Sequence, residues 1–193
     1  MGEVLHEAGR QGAIRAKRWL ERTTRVNAMW VNPEWVAKLT FSWADGTQFS
    51  FDLGGQMLGG ELNGQEFFAE IKKYSQVGSQ PEMYSEYLAK CYRAYSEMPT
   101  RCDHFFWVTW HPFSQSKWPT LCTAAEVKAS VLAHSSRCFG EPDAAAAAGL
   151  VNAQTCDEVA KRLWLIVLSD KQEELALQEE LLEMVWAKQK ADA

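Results

Sequence analysis

The first stretch of the chain whose apolar positions repeat at helical spacing is residues 3–24. Apolar and small side chains recur there at steps of three and four residues: Leu5, Ala8, Gly12, Ala16, Trp19 and Leu20. That spacing places them on one side of an α-helix. Basic residues fall mostly on the other side, so the pattern predicts an amphipathic helix with a basic face.

Strict alternation of apolar and polar residues follows in two short segments, residues 36–43 and residues 47–53. Alternation of this kind is typical of half-buried β-strands. Asp45 and Gly46 lie between the two segments and favour a two-residue type I′ turn. We therefore predict a β-hairpin whose second strand ends at Asp52.

The segment after this hairpin is rich in glycine, with five glycines between residues 54 and 65. It predicts a flexible loop, and it lacks the GK[ST] ending of a phosphate-binding loop. Residues 66–75 predict a third strand of mixed character. Residues 104–110 are apolar and aromatic throughout, which is typical of a buried strand.

Helix-start signals mark the remaining elements. Residues 79–82 match a capping box with proline in the first turn, and they predict a helix over residues 80–97. Similar signals predict three later helices, over residues 124–137, from a capping box at residues 155–158 to residue 168, and from Ser169 or Asp170 to residue 189.

The predicted order of elements is helix, three strands, helix, strand and then helices. This order indicates an α/β fold with a central sheet in residues 1–122. Residues 123–193 form a helical C-terminal extension, packed on the core or forming a dimer interface. The last helix favours such an interface because it carries a wide apolar stripe: Leu177, Leu181, Met184 and Val185.

Composition narrows the class of protein. Apolar residues make up 47% of the chain and charged residues 23%, which argues against a disordered protein. No apolar run approaches the roughly 18 residues that span a bilayer, and no secretory signal is visible, so we expect a cytoplasmic protein that does not enter the membrane. The five cysteines include no CxxC pair, which argues against zinc and disulfide frameworks.

Charge is distributed unevenly. The net charge of −5 argues against a general nucleic-acid coat protein, yet residues 10–25 hold six basic residues and one acidic residue. We predict that Arg15, Arg18 and Arg22 contact phosphates, together with Lys73; the alternative is a solvated helix face. Residues 170–183 hold six acidic residues and one basic residue, and they predict a solvated face turned away from any nucleic acid.

Three charged residues form the candidate chemical site. Glu70 and Lys72 are two residues apart on a predicted strand, so their side chains leave the same face. The glycine-rich loop folds this strand back beside the preceding one, which brings Asp52 close to Glu70. Two carboxylates suit a hard divalent cation, and a nearby ammonium suits the activation of water or the stabilisation of charge on a phosphate.

At these residues the chain resembles the PD-(D/E)XK nuclease superfamily, especially its Holliday-junction resolvase and Mrr-like branch. Phe51-Asp52-Leu53 looks like the family's aspartate segment, and Phe68-Ala69-Glu70-Ile71-Lys72 looks like its hydrophobic ExK strand. Residues 12–20 and 105–113 look like its first helix and its last core strand. The resemblance implies a restriction-endonuclease-like αβββαβ core with a mixed central sheet.

The resemblance also implies a site and an activity. Asp52, Glu70 and Lys72 are the implied catalytic residues. Asp52, Glu70 and the backbone carbonyl of Ile71 are the implied ligands of Mg²⁺ or Mn²⁺. The implied function is a metal-dependent DNA endonuclease in bacterial restriction, anti-phage defence or DNA repair, acting as a homodimer or as a partner subunit of a defence complex.

One departure from the family pattern keeps an alternative open. Many relatives place a glutamate that helps hold the metal on the first helix, where this chain has Ala13. The alternative is therefore a catalytically inactive subunit that keeps the nuclease fold and acts in nucleic-acid binding or assembly. Gln76, Gln80 and His111 are weaker candidates for contact with substrate or with a metal-bound water.

Overall fold

The computed structural model describes residues 2–73 and 78–191. Within these residues the helices are α1 (Gly2–Thr23), α2 (Val36–Leu39), α3 (Gln80–Glu97), α4 (Ala124–Ala133), α5 (Ser135–Phe139), α6 (Ala144–Ala147), α7 (Ala153–Arg162), α8 (Asp170–Glu173) and α9 (Glu179–Ala191). The strands are β1 (Val26–Val31), β2 (Thr40–Ser42), β3 (Gln48–Ser50), β4 (Leu53–Met57), β5 (Glu66–Lys72), β6 (His104–Thr109) and β7 (Leu163–Val167).

A five-stranded mixed sheet forms the centre of the fold, in the order β1-β4-β5-β6-β7. Strands β1, β4 and β5 pair antiparallel, whereas β5, β6 and β7 pair parallel. The expectation of an α/β fold with a mixed sheet is confirmed. Helix α1 precedes β1, and helix α3 connects β5 to β6.

The two faces of the sheet carry different helices because side chains alternate along β5. Phe67, Ala69 and Ile71 belong to a core that also contains the buried side of α1. Phe68 belongs to the opposite core, which contains the buried side of α3. The position of a residue along β5 therefore decides whether its side chain lies on the α1 face or on the α3 face.

The predicted hairpin exists, but it is shorter than expected and lies outside the central sheet. Strands β2 and β3 pair antiparallel as a separate two-stranded sheet, and residues 36–39 form α2 instead of extending the first strand. The prediction of a type I′ turn is wrong, because Gly46 has a positive φ of 83° and Asp45 does not. The Asp45 carboxylate instead accepts hydrogen bonds from the backbone N–H and the hydroxyl of Thr47, at 2.9 and 2.6 Å.

The prediction of a flexible glycine-rich loop is wrong for its first part, which forms β4. A side chain is excluded at Gly55, since a Cβ there would lie 2.0 Å from the backbone oxygen of Asn27. The pairing of β4 with β1 shifts register between Asn27 and Trp30, where the two backbones come close. The glycine thus marks a close approach of two strands. Strand β1 was itself not predicted.

The C-terminal extension is not wholly helical. The helix predicted to reach residue 168 ends at Arg162, and β7 follows it and pairs with β6 as the edge strand of the central sheet. Asn152 caps that helix by accepting from the N–H of Thr155 at 3.1 Å, so the expected capping box at residues 155–158 is wrong. The single helix expected after residue 169 is divided into α8 and α9.

Helix α3 has the predicted bounds, although the side chain of Ser79 makes no capping hydrogen bond. Thr123 does cap α4, as expected, by accepting from the N–H of Glu126. The helix predicted over residues 124–137 is interrupted at His134, between α4 and α5. In the described part of the chain, every helix is too short or too polar to cross a membrane.

Candidate active site

Asp52 lies immediately before β4, where backbone contacts fix it against the carboxyl end of β5. Its N–H donates to the carbonyl of Ala69 at 3.0 Å, and its Oδ2 accepts from the N–H of Ile71 at 2.8 Å. The expected position at the end of the second hairpin strand is wrong, since that strand ends at Ser50. The antiparallel register of β4 and β5 places Asp52 beside Glu70.

Glu70 and Lys72 leave β5 on the same face, as predicted from their spacing, and this is the face that carries α3. Glu70 is only 5% exposed. The Lys72 Nζ lies 2.8 Å from Glu70 Oε1 and 6.0 Å from the ring centroid of Trp107, a fully buried residue of the adjacent strand. The structure therefore brings together the three residues that the sequence analysis singled out.

Lys90 is a fourth member of this group, and it was not predicted from the sequence. It comes from α3, and its Nζ lies 3.2 Å from Glu70 Oε1 and 3.5 Å from Oε2. Its side chain is only 15% exposed. A detectable signal was its position three residues after Tyr87, inside the apolar stripe of α3. We call Asp52, Glu70, Lys72 and Lys90 the buried cluster.

The two carboxyls of the buried cluster have opposite pKa shifts. Burial and the nearby Glu70 raise the pKa of Asp52 to about 6. Burial also opposes ionisation of Glu70, but Lys90 and Lys72 outweigh it and hold the pKa of Glu70 below its usual value. Glu70 is therefore the stably ionised carboxylate, and Asp52 is the one that lacks sufficient positive charge.

The donors around Asp52 suit a hard divalent cation. Residues in a strand direct their N–H and C=O groups to the same side, so the carbonyl of Ile71 lies on the side where its N–H meets Asp52. Asp52, Glu70 and that carbonyl together offer oxygen ligands. No cluster of three or more His, Cys, Asp or Glu in residues 2–73 and 78–191 has metal-binding geometry, so backbone oxygen and water would have to complete the coordination.

Gln80 is fully buried at the start of α3, beside the end of β6. Its Oε1 accepts from the Thr109 hydroxyl at 3.0 Å, and Thr109 pairs with Lys72 across the two strands. Its Nε2 is buried without a hydrogen-bond partner among the described residues. His111 donates its backbone N–H to the same hydroxyl at 3.2 Å, and Gln76 lies outside the described residues.

The residues predicted to contact phosphates are largely paired with the acidic C-terminal segment. Arg15 pairs with Asp170 and Glu173, Lys73 lies 3.2 Å from Asp170, and Arg22 pairs with Glu179. Arg18 lines a cleft of about 270 Å³ beside the same acids. Most acids of this segment are exposed, as expected of a solvated face, but Asp170, Glu173 and Glu179 pair with the helix that was predicted to contact nucleic acid.

Comparisons with known proteins leave the family open. No protein-family model matches the chain, and no curated protein matches it. A solved structure of the Moraxella osloensis Cap4 SAVED/CARF-domain containing receptor is similar over 87% of this chain, with 9% identity and a TM-score of 0.39. The chain spans 34% of that receptor. A similarity of this degree identifies neither a family nor a function.

Proposed function

We propose that the protein is a metal-dependent DNA endonuclease that hydrolyses phosphodiester bonds. The observation that carries the proposal is the convergence of Asp52, Glu70 and Lys72 at the carboxyl end of β5. Burying charged groups in a sheet costs free energy unless they are paired or used. Their position also fits the general tendency of ligands to bind at the carboxyl ends of strands in α/β sheets.

The order of the elements supports the same proposal. Helix α1 is followed by the antiparallel strands β1, β4 and β5, then by α3 and by β6, which is parallel to β5. The resemblance to the PD-(D/E)XK superfamily implies such a helix, three strands, helix and strand. The hairpin and the C-terminal elements are additions to that order.

In the proposed mechanism, Asp52, Glu70 and the carbonyl of Ile71 would hold Mg²⁺ or Mn²⁺, which would supply Lewis acidity to the phosphate and to water. Lys72 orients the attacking water and offsets the charge that develops on the phosphate. Lys90 holds the Glu70 carboxylate from the α3 side and keeps it ionised.

Two observations favour the alternative of a catalytically inactive nuclease-fold subunit. Ala13 is 2% exposed and packs in the core beneath β5, so the first helix offers no acid at that position. Lys90 adds a second ammonium, which gives the ionised buried cluster no net negative charge to attract a cation. Either feature weakens metal binding, and the protein would then bind nucleic acid without cleaving it.

The biological setting belongs to the proposal as well. Bacterial restriction, anti-phage defence or DNA repair follows from the resemblance alone, as does a cytoplasmic location. A homodimer through the C-terminal helices is supported by exposed apolar side chains on α9, where Leu181 is 51% and Met184 69% exposed. The oligomeric state in solution tests this part.

Incubation with supercoiled, linear and branched DNA, with Mn²⁺ or with EDTA, tests the activity. We expect cleavage by the wild type and by Lys161→Ala, which removes a lysine with a 67% exposed side chain, and none by Lys72→Ala. Absence of both cleavage and thermal stabilisation by Mn²⁺ would favour the inactive alternative, because the ion stabilises an intact metal site. Equal cleavage by all three proteins would remove Lys72 from the proposed site.

A further inference from the structure

The carboxylate of Glu173 is held by side chains from three separate elements. Arg15 of α1 donates from Nε to Oε2 at 2.7 Å and from Nη2 to Oε1 at 2.5 Å. The indole N–H of Trp110, just after β6, donates to Oε1 at 2.7 Å. Lys73, just after β5, places its Nζ 3.9 Å from Oε1. We call Arg15, Lys73 and Trp110 the anion cluster.

The backbone places these donors close together, independently of the anion that they bind. Gly12 allows α1 to approach the end of β5, since a Cβ at Gly12 would lie 3.1 Å from the Cβ of Lys73. The ammonium of Lys73 lies 4.6 Å from the ring centroid of Trp110, and the guanidinium of Arg15 lies 5.8 Å from it. The donors therefore belong to α1 and to the ends of two central strands.

The bound carboxylate comes from a less strongly held element. Glu173 ends α8, a helix of four residues, and the other acid of that helix in contact with the cluster, Asp170, has an 80% exposed side chain. The ion pairs of Asp170 are exposed and contribute little free energy. The Glu173 side chain is 20% exposed, but it belongs to a short helix outside the sheet, so a competing anion can replace it without disturbing the sheet.

The geometry is the one that proteins use for phosphate. A guanidinium fork binds two oxygens of a carboxylate or of a phosphate in the same bidentate way. An added N–H donor and an ammonium supply further contacts to an oxyanion. We infer that the anion cluster binds a phosphate of a nucleic-acid backbone, and that Glu173 occupies this phosphate site as a substitute in the described structure.

The position of the cluster connects it to the proposed active site. Lys73 directly follows Lys72, and the backbone N–H of Trp110 donates to the carbonyl of Lys72 at 3.4 Å. The anion cluster lies on the α1 face and the buried cluster on the α3 face of the same strand end. One nucleic-acid strand crossing this edge meets both. The nucleic acid as ligand rests on the proposed function, whereas the anion site rests on the contacts alone.

Glu173→Gln tests the inference, with Glu174→Gln as the matched control. The control removes the same charge one residue away, where the carboxylate pairs only with the exposed Lys171 in the described structure. Binding of fluorescein-labelled duplex DNA is measured by anisotropy in EDTA, so that cleavage does not interfere. We expect Glu173→Gln to bind about fivefold tighter than Glu174→Gln, which corresponds to about 1 kcal/mol. We also expect its salt slope to be steeper by about 1.

A second substitution assigns the gain to the cluster. Adding Arg15→Gln to Glu173→Gln should abolish both the tighter binding and the steeper slope. Asp170→Asn protects the test against misfolding, because the exposed Asp170 contributes little to packing; it should give a smaller gain of the same sign. Equal binding by Glu173→Gln, Asp170→Asn and Glu174→Gln would overturn the inference and make Glu173 an anchor for the C-terminal segment.

Inorganic phosphate distinguishes the source of the anion. Millimolar phosphate that raises the melting temperature of Glu173→Gln, with no gain in DNA binding, would keep an anion site and refute the nucleic-acid ligand. The cleavage assay with Mn²⁺ separates this inference from the proposed function. Tighter DNA binding by Glu173→Gln without cleavage supports the anion site and counts against the nuclease. Cleavage without tighter binding by Glu173→Gln supports the nuclease and counts against the anion site.

Discussion

Two groups of charged side chains lie at the carboxyl end of β5, one on each face of the sheet. In the buried cluster, the side chains of Glu70, Lys72 and Lys90 are 7%, 14% and 15% exposed. In the anion cluster the side chains of Arg15 and Lys73 are 38% and 23% exposed, and their partners Glu173 and Asp170 are 20% and 80% exposed. The ion pairs of the anion cluster are thus more exposed than those of the buried cluster, most of all at Asp170.

The difference in burial predicts different behaviour. Water and salt screen charges at the surface, so a surface pair contributes little and can be exchanged for another ion. A buried charge that loses its partner stays desolvated, and this costs much more. We therefore expect the buried cluster to be a fixed part of the fold and the anion cluster to be an exchangeable binding surface.

The largest expected effect is the loss of Glu70. Glu70→Ala leaves two ammonium groups without their carboxylate in the interior, and we expect it to lower the free energy of unfolding by about 3–5 kcal/mol. Glu66→Ala is a control on the same strand, since Glu66 makes a 2.9 Å ion pair with Arg101 nearer the surface. It should cost about 1 kcal/mol or less. Urea unfolding in EDTA measures both, and equal losses would contradict the comparison.

Asp52→Asn is expected to have an intermediate effect that depends on pH. Because burial and Glu70 raise the pKa of Asp52 to about 6, the folded state binds more protons than the unfolded state between about pH 4 and pH 6. Wild-type stability from this group therefore falls as the pH rises through that range. The neutral asparagine avoids the loss and can still accept from the N–H of Ile71.

We expect Asp52→Asn to be more stable than the wild type at pH 8, by about 1–3 kcal/mol, and to differ little from it near pH 4. Urea unfolding at the two pH values, in EDTA, measures the difference. A constant difference between the two proteins across this range would show that Asp52 does not titrate near pH 6. Loss of stability at pH 8 would show that the carboxylate is needed in its charged form.

The smallest expected effect on stability is the loss of an ion pair in the anion cluster. Arg15→Gln removes the pairs with Asp170 and Glu173, and we expect a loss of about 1 kcal/mol or less at low salt. The loss should shrink further in about 1 M NaCl, where the screening length falls to about 3 Å. Thermal unfolding at the two salt concentrations tests this. A large, salt-independent loss would place Arg15 with the buried charges.

Part of the candidate site could be predicted from the sequence for a local reason. Glu70 and Lys72 share a face because side chains alternate along any strand, so their spacing was sufficient. Asp52 was assigned to the right group but to the wrong place in its strand. Its position depends on the backbone bonds to Ala69 and Ile71, which are set by the pairing of β4 with β5.

Lys90 and Glu173 could not be placed from local pattern. Lys90 lies on helix α3 and reaches Glu70 from 20 residues along the chain. Glu173 reaches Arg15 from 158 residues away. The acidic and basic runs were both recognised, but opposite charges in a sequence pair only where the fold brings them within a few ångströms.

By itself, the sequence determined the elements whose signal lies in their own residues. The helical spacing of α1 and α3 and the apolar run of β6 reflect burial of one face or of both, and this burial determines the side-chain pattern. The α/β class follows from their order, since strands and helices that alternate must stack in layers.

The tertiary structure decided the rest. Strand β4 contains two glycines, which carry no side chain to form a pattern, and it exists because β1 and β5 pair with it on either side. Strand β7 follows a helix without a turn signal, and it takes its place at the edge of the sheet by pairing with β6. Which charges are buried together and which meet at the surface depends on strand order and helix placement, and these are global properties of the packed chain.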